Sequence, residues 1–173
     1  PSVRKLERRG VVGLYLSNYL RWDPLSQNKS VLKFGFQPET SASTFDMYER
    51  AGSSVYYKLH DLLKFKRLGY RKITDHLVRE IRHGRLTRAE AVVIEATYSQ
   101  SHINIKPFFD WLGASKSGYD WFKMHRLSDV SHLIADSEVE FKAPNLPTKL
   151  SDLLSLSKSS EEEFLLFAKG IDI

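Results

Sequence analysis

The feature that most constrains the fold is a stretch between His60 and Ala91 that predicts three helices separated by glycines. Glycine often follows the last residue of a helix, because it adopts the left-handed conformation there without steric cost. Gly69 and Gly84 are therefore expected to end the first two helices. The apolar spacing predicts helices from about Val55 to Leu68, from Thr74 to just before Gly84, and from Thr87 onwards. Connections this short indicate a compact helical unit.

Capping residues indicate where these helices begin. Thr74 is the predicted N-cap of the second helix, and Asp75 follows in the first turn, where the helix dipole favours an acid. The third begins with a capping box, in which Thr87 bonds the amide of Glu90 and the Glu90 carboxylate bonds the amide of Thr87. Further upstream, Asp23 precedes a proline that suits the first position of a helix, so its structural explanation is a plain N-cap.

The charge imbalance of the chain lies in the same stretch. Residues 60–91 contain nine Lys or Arg against four Asp or Glu, an excess of five that equals the +5 of the whole chain. Four arginines recur every third residue across a helix end, a turn and a helix start: Arg79, Arg82, Arg85 and Arg88. A solvated face with weak ion pairs is the simpler explanation. The alternative is an anion site, because guanidinium groups bind carboxylates and phosphates through a two-pronged fork.

Composition excludes several classes of protein. With 173 residues, 42% of them hydrophobic, the chain can build a real core. It has no cysteine, which excludes disulfides, thiolate nucleophiles and cysteine-based zinc sites. The six histidines show no close metal-ligand spacing, so no metal site is predicted. There is no apolar run of about eighteen residues and no signal-peptide pattern, which predicts a cytoplasmic protein without a membrane span.

Taken in order, the chain predicts a mainly α fold with one or few short strands at the N-terminal end. The apolar segment Val11–Leu16 is the predicted buried strand. The predicted parts are a strand and helix completing an α/β core over 1–35, a loop over 36–54 that is either a binding lid or mobile, a helical domain over 55–135, a linker or arm over 136–158, and a C-terminal docking helix over 159–173.

Several short motifs in the central stretch resemble one family. They are Asp61-Leu62-Leu63-Lys64-Phe65, Leu68-Gly69-Tyr70, Thr74-Asp75-His76, Glu80-Ile81-Arg82 and Gly84-Arg85-Leu86-Thr87-Arg88-Ala89-Glu90-Ala91. Together they are similar to the C-terminal half of the N-acetyl sugar amidotransferases of bacterial surface-polysaccharide and flagellin-glycan biosynthesis. The chain departs from that pattern at Arg71, where the family usually has glycine, and at Leu77-Val78, where it has two small residues.

The resemblance implies a reaction and its participants. In this family an acetamido group of a nucleotide-linked or other N-acetyl sugar is activated with ATP and Mg, and ammonia from a partner glutaminase converts it to an acetamidino group. The family carries a Ser-Gly-Gly-x-Asp-Ser phosphate loop in an earlier α/β (HUP-like) ATP-pyrophosphatase domain. No such loop occurs in this chain, which also begins without Met. We therefore expect a C-terminal part that is inactive alone and acts with a missing N-terminal domain or as a homo-oligomer.

The resemblance also implies a set of substrate- or anion-binding residues. The set comprises Trp22, Asp23, Lys64, Tyr70, Thr74, Asp75, His76, Arg79, Arg82, Arg85 and Arg88. The arginines would bind phosphate or a sugar carboxylate, while Asp75 and His76 would orient the substrate or a neighbouring arginine. Two alternatives stay open: a basic helical nucleic-acid-binding module that uses the same arginines on phosphates, and a non-catalytic interaction domain derived from the enzyme.

Overall fold

The computed structural model describes residues 3–15, 19, 23–38, 41, 43–48, 54–137 and 139–155. Within these ranges the fold is mainly α-helical, as the sequence predicts. The helices are α1 (Val3–Glu7), α2 (Pro24–Ser30), α3 (Ser54–Leu68), α4 (Lys72–Arg82), α5 (Arg88–Ser99), α6 (Lys106–Trp111), α7 (Lys116–Arg126) and α8 (Thr148–Leu154). Two short 3₁₀ helices, Val31–Phe34 and Ser128–Leu133, extend α2 and follow α7.

Two short strands pair in parallel, but they do not lie where the sequence predicts a strand. They are β1 (Ile103–Asn104) and β2 (Ile134–Ala135), with Ile103 opposite Ile134. The predicted strand at the N-terminal end is wrong for Val11–Tyr15, which has no strand and is exposed. The physical reason is that a strand needs a hydrogen-bonded neighbour. The described residues place none beside this segment, and Leu16 lies outside them.

The helix ends follow the local signals, with one exception. Gly69 and Gly84 take positive φ angles of 78° and 67° after α3 and α4, and the capping box at Thr87 is present. However, α4 begins at Lys72 rather than after Thr74. The carboxylate of Asp61, on α3, accepts a hydrogen bond from the Lys72 amide at 2.6 Å. This helix is therefore capped by its neighbour, which sequence-local reasoning does not detect.

Two hydrophobic clusters form the core. The first lies among α2, α4, α5 and α8 and is built from Leu25, Leu32, Phe45, Tyr48, Ile73, Leu77, Leu86, Ala91, Ile94, Tyr98, Leu150 and Leu154. The second lies among α3, α6, α7 and the strands and is built from Leu59, Leu62, Ile103, Ile105, Phe109, Tyr119, Leu127, Val130 and Leu133. Burial of each large apolar side chain contributes about 1.5–3 kcal/mol.

A buried ion pair joins the two clusters. Arg71 and Asp61 are each 1% exposed, and their Nε and Oδ2 atoms are 2.9 Å apart. Arg71 Nη1 also donates to the carbonyls of Tyr98 and Ser101, near the end of α5. The arginine that stands where the resembling family has glycine thus holds α3, the start of α4 and the end of α5 together.

The described part of the predicted loop 36–54 packs into the core. Residues 43–46 and Tyr48 are buried, and Phe45 and Tyr48 belong to the first cluster. The Tyr48 hydroxyl donates to the carbonyl of Leu154 at 2.7 Å. Aromatic side chains make this short polar segment part of the core, because they bring enough apolar area to anchor it.

A helix lies inside the stretch 136–158, for which the sequence predicts only a linker or arm. Its residues Leu150 and Leu154 are 0% and 8% exposed and pack into the first cluster. The predicted docking helix over 159–173 lies outside the described residues.

In the part of the chain that the structure describes, every helix is too short or too polar to cross a membrane.

Candidate functional site

An open cleft of about 620 Å³ lies along the outer face of α4 and is named here the α4 cleft. Its lining residues are Pro24, Tyr70, Thr74, Asp75, Val78, Arg79, Arg82 and His83. Positions three and four apart share one face of a helix, which explains why the α4 members come together. The volume falls within the usual range of small-molecule sites. Five residues of the predicted site lie here: Tyr70, Thr74, Asp75, Arg79 and Arg82.

Lys64 reaches the rim of the cleft from α3. Its ammonium group forms an ion pair with Asp75 and lies 4.3 Å from the centroid of the Tyr70 ring. The Lys64 side chain is only 11% exposed, whereas that of Asp75 is 43% exposed. Lys64 therefore covers one face of the Tyr70 ring through a cation–π contact, and Asp75 keeps much of its carboxylate open to the cleft.

Behind the cleft, acids and arginines alternate in a chain that we name the ionic row: Asp46, Arg79, Glu80, Arg85 and Asp23. Arg79 donates from Nη2 to Asp46 and from Nε to Glu80, both at 2.6 Å. Arg85 donates from Nε to the other oxygen of Glu80. Its two terminal nitrogens bond the two oxygens of Asp23 at 2.7 and 2.9 Å. Two of the four predicted anion-binding arginines are thus bonded to carboxylates of the chain itself.

The ionic row favours the charged forms of Asp23, Arg79 and Arg85. The hydrogen bonds from Arg85 hold the pKa of Asp23 well below its usual value, although partial burial acts in the opposite direction. Burial lowers the pKa of Arg85, but its bonds to Asp23 and Glu80 outweigh this and raise the pKa overall. The pKa of Arg79 is raised in the same way by Asp46 and Glu80. Because Glu80 is fully buried, each of its oxygens needs the guanidinium that it contacts.

The remaining predicted residues lie elsewhere. His76 is buried on the inner side of α4, with Nδ1 2.5 Å from the Thr44 hydroxyl. Arg88 is exposed at the start of α5 and does not line the cleft. Asp23 and Arg85 lie in the ionic row, and the Asp23 carboxylate also caps α2. Trp22 lies outside the described residues.

The structure adds residues that the sequence does not single out. Asp46 and Glu80 fix Arg79, and His83 lines the cleft with Nε2 4.0 Å from the Asp23 carboxylate. Val78 could be inferred, since it shares a helix face with Asp75 and Arg82. No signal in the sequence connects Asp46 with Arg79, because the two residues lie 33 positions apart in the chain.

Comparison with known families identifies the chain. A family model described as "LPS biosynthesis protein WbpG-like, C-terminal domain" matches residues 39–150, which is more than half of the chain. The chain belongs to this family. The resemblance to the C-terminal part of a polysaccharide-biosynthesis family is thereby confirmed. All residues of the cleft of this WbpG-like domain except Pro24 lie within the matched range. No curated protein and no solved structure matched the chain.

The described lining of the α4 cleft in this WbpG-like domain supplies too few unpaired cations for ATP, the nucleotide that the sequence resemblance implies. Binding of a triphosphate requires several cations or free backbone amides around the phosphates. Among the residues lining the cleft, Arg79 is already bonded to two carboxylates, while Arg82 has no ion pair within the described ranges. Asp75 adds a negative charge on the same wall. The cleft instead offers the aromatic ring of Tyr70, the partly exposed carboxylate of Asp75 and the guanidinium of Arg82, which has no ion pair with a described residue.

Proposed function

We propose that this WbpG-like domain is the C-terminal part of an ATP-dependent N-acetyl sugar amidotransferase of LPS O-antigen or flagellin-glycan biosynthesis. The reaction converts an acetamido group to an acetamidino group. The α4 cleft binds the nucleotide-linked N-acetyl sugar. The observation that carries the proposal is that Tyr70, Thr74, Asp75 and Arg82 line one cleft, since all four come from motifs of the resembling family; Arg79 lines the cleft beside them.

The rest of the machinery in this proposal lies outside the α4 cleft. ATP and Mg are bound by another domain, because the described lining of the cleft supplies too few unpaired cations for a triphosphate. Ammonia comes from a glutaminase subunit, and the enzyme acts in the cytoplasm. The contribution of this chain is to hold the sugar in place for the reaction, which lowers the barrier by fixing its orientation.

Three side chains of the cleft suit the binding of a sugar. The Tyr70 ring offers an apolar surface for the C–H face of a pyranose. The open oxygens of Asp75 can accept hydrogen bonds from sugar hydroxyls. Arg82 can donate to a phosphate or to hydroxyl oxygens, and as a charged donor it forms the stronger kind of hydrogen bond.

The pairing of two of the arginines argues against a nucleic-acid-binding module. Affinity of this kind depends on several lysines or arginines that each neutralise a phosphate. Arg79 and Arg85 are bonded to the carboxylates of the ionic row. Of the four arginines in the series, Arg82 and Arg88 form no ion pair with a described residue. They lie on different helices.

The test is isothermal titration calorimetry of the full chain with UDP-N-acetylglucosamine, comparing Arg82→Ala with Arg88→Ala. Both substitutions remove an exposed arginine of the same series, but only Arg82 lines the cleft. We expect saturable binding that weakens about tenfold in Arg82→Ala, since a charged hydrogen bond contributes about 1.5–3 kcal/mol. Arg88→Ala should bind like the unaltered chain.

A second titration, with a short DNA duplex at two salt concentrations, separates the alternatives. DNA binding that falls steeply with salt, with no heat from the sugar nucleotide, would contradict the enzyme proposal and support the polyanion module. Absence of heat from both ligands would also contradict it and leave the non-catalytic interaction domain.

A further inference from the structure

We propose that the α4 cleft binds the sugar ring of the substrate and tolerates one negative charge, while the diphosphate and base of the nucleotide lie outside it. This inference rests on the proposed function, and it specifies which part of the substrate this chain recognises. Three observations carry it: the charge balance around the cleft, the fixed geometry of the ionic row, and the shape of the lining.

The first observation is that the charges around the cleft balance. The four carboxylates in and behind the cleft are Asp23, Asp46, Asp75 and Glu80, and the four cations are Lys64, Arg79, Arg82 and Arg85. Three of these cations are ion-paired with these carboxylates. Arg82 is the one that is not, which leaves a place for a single anionic group among the described residues.

The second observation is that Arg79 and Arg85 cannot leave their carboxylate partners to bind a phosphate of the ligand. Glu80 is 0% exposed and each of its oxygens accepts from one of these guanidiniums, so its carboxylate cannot turn to water if either one leaves. The free-energy cost of leaving a buried carboxylate without its ion pair exceeds the gain from an exposed contact with a phosphate. A second phosphate entering the cleft would therefore meet Asp75 and the ionic row without gaining a cation.

The third observation is that the lining suits a pyranose ring. Pro24, Tyr70 and Val78 supply apolar surface, and Lys64 fixes the Tyr70 ring from one side. A pyranose has an apolar C–H face and a rim of hydroxyl groups. The exposed carboxylate of Asp75 and the guanidinium of Arg82 lie on the α4 wall of the same cleft, where they can bond such a rim.

The experiment is saturation-transfer difference NMR on UDP-N-acetylglucosamine with the full chain. Protons that touch the protein receive the most saturation, so the spectrum shows which part of the ligand is bound. We expect the pyranose ring and N-acetyl methyl protons to receive more saturation than the uracil and ribose protons. UDP alone should bind at least about tenfold more weakly than the sugar nucleotide.

Tyr70→Leu and Tyr56→Leu are the matched variants. The two tyrosines are similarly exposed, 39% and 44%, but only Tyr70 lines the cleft. Circular dichroism verifies that both variants fold. We expect Tyr70→Leu to weaken binding of the sugar nucleotide by about threefold to tenfold, the range for loss of an aromatic contact. Tyr56→Leu should bind like the unaltered chain.

The outcomes separate this inference from the proposed function. If the uracil and ribose protons dominate, or if UDP binds as tightly as the sugar nucleotide, the sugar-only cleft is wrong and the enzyme proposal stands. Equal weakening by the two tyrosine variants also overturns the inference, because the binding surface is then not the α4 cleft. No saturation of any proton, together with no heat in calorimetry, contradicts the proposed function itself.

Discussion

Among the described residues, Arg71 is the largest side chain that is fully buried. Its guanidinium bonds Asp61 and the backbone carbonyls of Tyr98 and Ser101, and the Arg71 and Asp61 side chains are each 1% exposed. Removing one member of a buried ion pair leaves the other charge uncompensated, which costs about 3–5 kcal/mol. We expect Arg71→Leu to lose this much free energy of unfolding, measured by urea denaturation followed by circular dichroism.

A double variant and a surface variant serve as controls for this prediction. The double variant Asp61→Leu, Arg71→Leu removes both charges and should be more stable than Arg71→Leu alone. Lys116→Ala breaks an exposed pair with Asp120 and should change stability by about 0.5 kcal/mol or less. Equal losses in Arg71→Leu and Lys116→Ala would show that the Asp61–Arg71 pair is open to solvent.

Asp23 should make stability depend on pH in the acid range. Its folded-state pKa lies below the usual value of 3.8, because Arg85 and Ser26 bond its ionised form; His83 is the other titratable group facing it. A lowered folded pKa means that the stabilisation is fully present above the unfolded pKa and is lost as pH falls through the folded one. The loss should therefore begin below about pH 4.

The variant that tests this is Asp23→Asn, followed by urea unfolding at several pH values from 7 to 2.5. At pH 7 we expect the variant to be less stable by about 2 kcal/mol, for loss of a charged cap and of the Arg85 pair. The difference between the two proteins should shrink as pH falls below 4. A difference that stays constant down to pH 2.5 would contradict the coupling between Asp23 and Arg85.

At the scale of elements, the sequence predicts helix ends that depend on neighbouring residues in the chain. It does not predict contacts that another element of the fold supplies. The ends of α3 and α4 and the capping box of α5 are readable, since each depends on residues within a few positions. The start of α4 is not, because its cap comes from Asp61. The same holds for the site: Asp75, Arg79 and Arg82 share a helix face, whereas Asp46 reaches Arg79 only through the tertiary fold.

Helix α8, like the two short strands, is missed altogether by sequence-based prediction. Its stretch contains two prolines and many polar residues, so burial of its leucines depends on the first cluster. We expect Leu150→Ala to cost about 2–5 kcal/mol, as for removal of a fully buried leucine. Lys149→Ala, at the exposed neighbouring position, should cost less than about 0.5 kcal/mol. Thermal unfolding with similar midpoints for both variants would show that α8 does not belong to the core.

At the scale of the whole molecule, the two hydrophobic clusters share the candidate site. The cleft residues Asp75 and Arg82 belong to α4, which packs in the first cluster, while Lys64 comes from α3 in the second. The Asp61–Arg71 pair crosses the same boundary. The relative position of α3 and α4 therefore fixes both the packing of the chain and the shape of the cleft.

This arrangement predicts cooperative unfolding of the two clusters. Separation of the two clusters would expose the buried Asp61–Arg71 pair. The free energy needed to unfold one cluster alone should therefore not be much lower than that needed to unfold both. Leu77→Ala removes side-chain atoms from the first cluster and Leu62→Ala from the second. Each should lower hydrogen-exchange protection in both clusters by the same free energy, about 2–5 kcal/mol. Protection lost only in the altered cluster would mean that the two clusters unfold separately.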